Sequence, residues 1–522
     1  MAAIKSIWMV SREYGNLAGA GGIKDVVCQL SAALVRQGRE VSVVLPCYGF
    51  MKPEKSGFNP LLSLWLDLSY SQEERREEVL IWQGMEEGVA VYLVDSSRFR
   101  EKLGIYTYTA AEERANPHHR EGDGHYDYFA MNVLLEKAAL GLITRLHTRP
   151  DIIHCHDGHT ALLPVMAREL EGYRHYFHHT GFLLTIHNAG LGYHQEVADL
   201  PFAQAVTGLP SEVIKRGILH GCFDPLLSAA DYSLVNTVSE NYARELRETD
   251  TDKLTGWLGH ELLNRGIKLI GITNGIEPES YNPRTRSSSI AAVFTPGSHN
   301  AGLIPGKRKC KEELIRAVVQ RSIPDMRQSG TLTVNYDQPL FTFVGRFSAQ
   351  KGIDKLLEAL KKLLPVDPDF QILILGSGQQ AVEEDLQTLA RANRGRVCVL
   401  MGYDPLIARR IFAAGDFFLI PSMYEPCGLT DYQAQLFGNL PIVHAVGGLV
   451  KVIDGETGFS YPGFRSAALS DAMRRAMTVY RYEPEAIAYM QKRALEVIEE
   501  RYTWDRVVER YMTLYKQESK NN

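Results

Sequence analysis

Leu340-Phe341-Thr342-Phe343-Val344-Gly345-Arg346-Phe347-Ser348-Ala349-Gln350-Lys351-Gly352 reads as a short buried strand that stops at a glycine and gives way to a loop with two cations. Ile353, Leu356, Leu357, Leu360 and Leu364 then recur at helical spacing. A second passage has the same form. The apolar run Phe417 to Ile420 leads into Pro421-Ser422-Met423-Tyr424-Glu425-Pro426-Cys427-Gly428-Leu429-Thr430, and a helix follows to about Phe437. Short apolar strands alternating with helices imply a parallel sheet covered on both faces. Ligands of such sheets bind beyond the carboxyl ends of the strands, where both passages lie.

The alternation extends in both directions. Gln371 to Leu375, Val397 to Met401 and Pro441 to Val443 read as further strands, the last followed by Gly447-Gly448. This series is expected to open near Lys268, with Leu269 to Ile272 running into the turn Thr273-Asn274-Gly275. Upstream, Ile4 to Val10, a glycine loop at Gly19-Ala20-Gly21-Gly22, a helix from Lys24 to Gln37 and the strand Val41 to Leu45 form a βαβ unit. Val89 to Val94, Ile152 to His154, Phe182 to Ile186 and Tyr232 to Val235 are later strands. Glu101 to Asp127 and Ser287 to Gly306 are expected to be long loops, the first a lid or an acceptor-binding loop. A chain of 522 residues exceeds one ordinary core. The expected fold is α/β: two doubly wound domains, residues 1–267 and 268–500, facing each other across a deep cleft.

Composition narrows the function. A net charge of −5 provides no basic field for nucleic acid. No apolar run is long enough to span a bilayer. The seven cysteines are scattered without a close pair, which argues for a reducing compartment and a cytoplasmic enzyme.

The motifs carry the chemistry. Arg346 and Lys351 bracket a helix start, where positive charge is unfavourable unless an anion offsets it. A guanidinium fork and an ammonium suit a diphosphate. Glu425, in a loop shaped by Pro426 and Gly428, suits the hydroxyls of a sugar. The pair points to an enzyme handling a nucleotide-activated sugar. Gly19, Gly21 and Gly22 do not match the dinucleotide fingerprint; they suit a backbone approach to a phosphate. His154-Cys155-His156-Asp157-Gly158-His159 ends a strand, and His187-Asn188 ends the next. A metal ion would need ligands converging from strand and loop together, so one histidine is expected to serve the substrate and the rest the structure. No metal and no cofactor is expected. The doublets His118-His119 and His178-His179 read as surface features.

These residues resemble the bacterial glycogen synthase and plant starch synthase family, retaining glucosyltransferases with two Rossmann-like domains, the GT-B fold. Ser11 to Val27 resembles the family's glycine loop, His154 to Ala161 its His-x-His-Asp-x-His segment, and Thr185 to Asn188 its Thr-Val-His-Asn. Thr273 to Ile276, Gly345 to Gly352, Pro421 to Thr430 and Gly447-Gly448-Leu449 continue the likeness. The resemblance implies Arg346 and Lys351 on the donor's diphosphate, Glu425 on the glucose hydroxyls, and His159 facing the glucose. It implies substrate contacts from Gly21, Gly22, Asn188, Gly428, Leu429, Thr430, Gly447 and Gly448. It also implies a C-terminal helix, within 501–522, that returns to the first domain.

Three positions depart from the family. Gly19 stands where it carries lysine, Gly158 where it often carries tryptophan, and Val446 where it often carries threonine. Gln433 lies on the helix where related transferases place a ribose-binding carboxylate. The reaction implied is glucosyl transfer from ADP-glucose to the nonreducing end of an α-1,4-glucan. The alternatives are the same reaction from UDP-glucose, or a catalytically weak glucan-binding relative. A lysine restored at Gly19 is expected to tighten donor binding if the loop tolerates it.

Overall fold

The computed structural model describes residues 4–71, 73–285, 289–298 and 304–521. The chain divides into two compact units, one comprising 1–275 with 504–522 and the other 276–503.

The first unit is built on a nine-stranded sheet. In chain order its strands are β1 (Ser6–Val10), β2 (Glu40–Pro46), β3 (Asn59–Asp67), β4 (Arg76–Glu86), β5 (Val89–Asp95), β6 (Ile152–His156) and β7 (Gly181–Ile186). A small separate hairpin, β8 (Ile218–Leu219) and β9 (Cys222–Phe223), intervenes before β10 (Leu234–Thr237) and β11 (Leu269–Gly271). The order across the sheet is β11-β10-β7-β6-β1-β2-β5-β4-β3. All neighbours are parallel except β3 and β4, which turn back antiparallel at one edge. The strand order therefore reverses at β1, which lies between β2 and β6.

Leu269–Gly271 corrects an expectation. It pairs with β10 as the edge of the first sheet and does not open the second series. A three-residue apolar run carries no label of the sheet it will join. The segment 101–127 is also more ordered than a surface loop. Thr109 caps a helix at Ala110–Ala115 through a capping box with Glu112, and Lys102, Tyr108, Glu112 and His125 are buried. The loop expected over 287–306 falls partly outside the described residues; a helix, Pro305–Val319, begins within it.

The second unit holds a seven-stranded sheet: β12 (Arg327–Gly330), β13 (Leu340–Val344), β14 (Gln371–Gly376), β15 (Val397–Met401), β16 (Phe417–Ile420), β17 (Leu440–His444) and β18 (Phe459–Tyr461). Its order is β12-β15-β14-β13-β16-β17-β18, with only β12 antiparallel. Here the order reverses at β13, between β14 and β16. Side chains from both faces of this sheet are buried. Phe341, Phe343, Ile372 and Leu419 join a core on one side, and Leu340, Leu373, Leu375 and Phe418 join one on the other. The continuous apolar runs of the sequence follow from that double coverage. Among the described residues, no helix is long and apolar enough to cross a membrane.

Candidate active site

The reversal points place the motifs. In the second unit, Gly345–Gly352 leaves β13 and Pro421–Thr430 leaves β16, its hydrogen-bonded neighbour. Gly447 and Gly448 follow β17, the next strand. Ligands of doubly wound sheets bind at such reversals.

The three loops are tied together by backbone. Met423 N–H donates to the Gln350 carbonyl at 2.8 Å, and Gly448 N–H to the Glu425 carbonyl at 2.9 Å. Gly352 has φ +67, and a Cβ there would stand 1.9 Å from the Pro421 carbonyl oxygen. Gly447 has φ +51, with the Glu425 carbonyl oxygen at the same 1.9 Å from a built Cβ. Only glycine fits either crossing.

That packing brings two of the expected residues into contact. Lys351 Nζ donates to Glu425 Oε2 at 2.7 Å, and Ser422 Oγ donates to the same oxygen at 2.9 Å. The Glu425 side chain is 12% exposed. Burial pushes its carboxyl up, but the Lys351 ammonium and the two hydrogen bonds outweigh it and hold the pKa below the usual range. Arg346 is exposed, and its guanidinium has no hydrogen-bond partner among the described residues. Gly428, at φ +72, precedes Leu429 and Thr430, where a helix starts.

A further lysine, Lys451, fastens this loop from below. Its Nζ donates to the carbonyls of Cys427 at 2.5 Å, Gly428 at 2.7 Å and Gly448 at 3.2 Å, and lies 3.1 Å from Asp431 Oδ2. Burial pushes the Asp431 carboxyl up to about 6, against the pull of Lys451. Sequence reasoning missed Lys451 because most of its partners, the Cys427 and Gly428 carbonyls and Asp431, lie some twenty residues away on a different loop and helix. Gln433 donates to Tyr281 Oη at 2.9 Å, so its amide is engaged within the unit.

In the first unit the glycine loop leaves β1, and the His154–His159 segment leaves β6 beside it. Glu13, buried, holds the loop. Its Oε2 accepts from Ala20 N–H at 2.6 Å and Gly21 N–H at 2.8 Å, and its Oε1 from Tyr106 Oη at 2.7 Å. Gly21, expected to contact substrate, thus spends its N–H on Glu13. Gly22 is exposed, and its N–H has no acceptor among the described residues. Tyr106 also lies against His159, with ring centroids 4.8 Å apart. Tyr106 belongs to the Tyr-rich segment 101–127, which was the one sequence signal for it.

The histidines separate by role. Thr185 Oγ1 donates to Asn236, so it accepts from His154 Nε2 at 2.6 Å; His154 Nδ1 then accepts from Tyr515 Oη at 2.9 Å. His156 Nδ1 and His187 Nε2 share a hydrogen bond of 2.9 Å. Burial pushes His154 and His187 down to about 3. His159 is also buried; burial and then the Arg12 guanidinium hold it well below its usual range, as a neutral imidazole. Its ring nitrogens have no hydrogen-bond partner among the described residues.

Between them, Asp157 adopts φ 57, ψ −180, a region that strains any side chain. Its Oδ1 accepts from the N–H groups of His187 at 2.6 Å and Asn188 at 3.3 Å, fixing the loop after β7. Burial pushes this carboxyl up to about 8. Asn188 Oδ1 accepts from Gly190 N–H at 2.9 Å. Gly158 has the His194 carbonyl oxygen 2.3 Å from a built Cβ, so the backbone of 193–194 fills the space a tryptophan would need.

A family model described as the starch synthase catalytic domain matches residues 6–260, and one described as glycosyl transferases group 1 matches 327–494. A glycogen synthase of Aeromonas hydrophila is 31% identical, over 98% of this chain and 97% of the relative. One of Anaeromyxobacter dehalogenans is 33% identical, over 97% of this chain and 95% of the relative. The chain belongs to the glycogen synthase family. Among solved structures, the catalytic domain of starch synthase IV from Arabidopsis thaliana, bound to ADP and acarbose, is similar with a TM-score of 0.80 and 25% identity, over 99% of this chain and 100% of that one. Two doubly wound units in succession are the plan of the GT-B glycosyltransferases, and this member of the glycogen synthase family carries it.

Proposed function

We propose that this glycosyltransferase moves glucose from ADP-glucose to the nonreducing end of an α-1,4-glucan, with retention of configuration. The observation that carries the reading is the Lys351–Glu425 pair at the strand-order reversal of the second sheet, with Arg346 on the same loop and without a partner among the described residues. A buried carboxylate held ionised accepts hydrogen bonds from sugar hydroxyls. The two cations bind the diphosphate and stabilise the charge that develops as it leaves. When donor binds, Lys351 divides its three N–H donors between Glu425 and phosphate. His159, neutral, donates to or accepts from a glucose hydroxyl, and Gly22 N–H reaches a phosphate oxygen. Asn188, Gly428, Leu429, Thr430, Gly447 and Gly448 line the substrate.

In the transfer, the bond from glucose C1 to the phosphate oxygen breaks and one from C1 to the acceptor O4 forms on the same face. The acceptor's proton passes to the departing phosphate oxygen. The solved starch synthase that binds ADP supports ADP as the leaving group. The seven cysteines are all unpaired, which supports a cytoplasmic site of action.

The experiment is release of nucleotide from ADP-glucose and from UDP-glucose, with and without glycogen primer. Primer-dependent release of ADP at the higher rate is expected, and EDTA leaves it intact because the fixed cations do the work of a metal. Release from UDP-glucose alone overturns the donor. No release from either overturns the enzyme.

A further inference from the structure

The glycine loop has one feature that the proposed reaction leaves unused. From Gly15 to Ile23 it carries no cation, and the first is Lys24, in the first turn of the helix Ile23–Arg36. Positive charge is unfavourable there. The ammonium pairs with Asp25 Oδ1 at 2.8 Å, but the two side chains remain 33% and 28% exposed, so this contact is weak and exchangeable.

The course of the side chain is informative. The stem of Lys24 folds back over the loop, and a Cβ built on Gly19 would stand 2.1 Å from Lys24 Cδ. Gly19 is not among the glycines with positive φ. Its backbone would accept any residue. What glycine provides at position 19 is room, and Lys24 takes that room. A side chain at 19 and Lys24 in its present course exclude one another. The loop itself, Gly19 to Gly22, is exposed.

We infer that Lys24 supplies the cation of the glycine loop toward the diphosphate of the nucleotide sugar, and that Gly19 is glycine to let it lie there. The inference rests on the proposed donor site. Lys24 is a donor-affinity residue: its ammonium leaves Asp25 and pairs with phosphate, while the acceptor glucan is untouched. The expectation that a lysine at Gly19 tightens donor binding is revised, since that side chain would displace Lys24.

The test measures the Michaelis constants for ADP-glucose and for glycogen separately in Lys24→Ala, Lys24→Arg, Gly19→Lys, the double variant Gly19→Lys with Lys24→Ala, and Arg346→Ala. Loss of one charge-assisted contact in Lys24→Ala raises the donor constant about tenfold, with the glycogen constant unmoved and a smaller change in kcat. Lys24→Arg retains most of the affinity. Gly19→Lys alone brings no gain, and the double variant recovers most of what Lys24→Ala lost. Should Lys24→Ala lose its fold by circular dichroism, Lys24→Gln removes the charge with less change of volume and is read in the same way. An unmoved donor constant on removing the charge, or a gain from Gly19→Lys alone, overturns the inference. If Arg346→Ala is also silent, the donor-site reading itself falls; if Arg346→Ala loses turnover while Lys24→Ala is silent, only the role of Lys24 does.

Discussion

Arg346 and Lys351 bracket one loop but meet different environments, and this separates their variants. On the proposed reaction each removes a contact to the leaving diphosphate, so Arg346→Ala and Lys351→Ala are each expected to lower kcat by about two to three orders of magnitude. Among the described residues, only Lys351 of the two has a protein partner, Glu425. Lys351→Ala should therefore also cost about 1–3 kcal/mol of stability, whereas Arg346→Ala leaves the melting temperature unchanged; equal melting temperatures for the two would contradict the pairing. A second residue-scale prediction concerns pH. His194 Nδ1 bonds Asp224 Oδ2 at 2.6 Å, both buried. Burial pulls this histidine down, but Asp224 outweighs it and raises its pKa to about 9. A raised folded-state pKa contributes stability that is complete below the unfolded value of about 6.5 and is lost as pH rises through 9. Urea denaturation should show stability falling over that window. Asp224→Asn should lower stability at pH 6 and flatten the slope, and an unchanged slope would refute the assignment.

At the scale of elements, strands were easy to read and loops were not. β13, β14, β15 and β16 are continuous apolar runs because both faces of their sheet are covered, and such runs announce themselves. The glycines after them were legible as breaks. What each glycine does was not, because it depends on the neighbouring loop. Gly447 is required by the Glu425 carbonyl, which belongs to another strand's end. Gly447→Ala pays for a left-handed backbone, about 1–2 kcal/mol, and must also push the Glu425 loop away. Activity should fall at least tenfold even in protein that stays folded, with loss of donor affinity measurable by calorimetry. Wild-type binding in a folded Gly447→Ala would show that the loop has slack.

The whole molecule is organised by a chain that leaves its first unit and comes back. The C-terminal helix Trp504–Asn521 belongs to the first unit. Trp504, Val508, Tyr511 and Tyr515 are fully buried there. Trp504 Nε1 donates to Gln29, and Glu518 accepts from Phe182 N–H. Each large side chain buried this way contributes about 1.5–3 kcal/mol, so together they rival the net stability of a whole domain, about 5–15 kcal/mol. A chain ending at Thr503 should lose protection from hydrogen exchange in the first unit, β7 above all, while β13 to β17 keep theirs. Uniform protection in the truncated chain would contradict this division. Trp504→Ala is the milder test and should cost about 3–5 kcal/mol.

The sequence by itself determined that this chain is α/β, that strands and helices alternate in two series, and that Arg346, Lys351 and Glu425 stand at strand ends. Those properties are local: they follow from periodicity, from glycine breaks and from residue types within a dozen positions. Tertiary structure alone decided that Leu269–Gly271 completes the first sheet, because strand partners are chosen by hydrogen-bonding edges far apart in sequence. It decided that Lys351, and not Arg346, pairs with Glu425. It also decided that Glu13 takes the loop N–H groups and that Lys451 clamps the Cys427–Gly428 carbonyls. Lys351 meets a carboxylate from the loop of the neighbouring strand, Glu13 meets main chain farther along its own loop, and Lys451 meets main chain of another strand's loop. A buried donor or acceptor must find a partner, but the demand is satisfied by whatever the folded chain brings near, and that cannot be read along the chain.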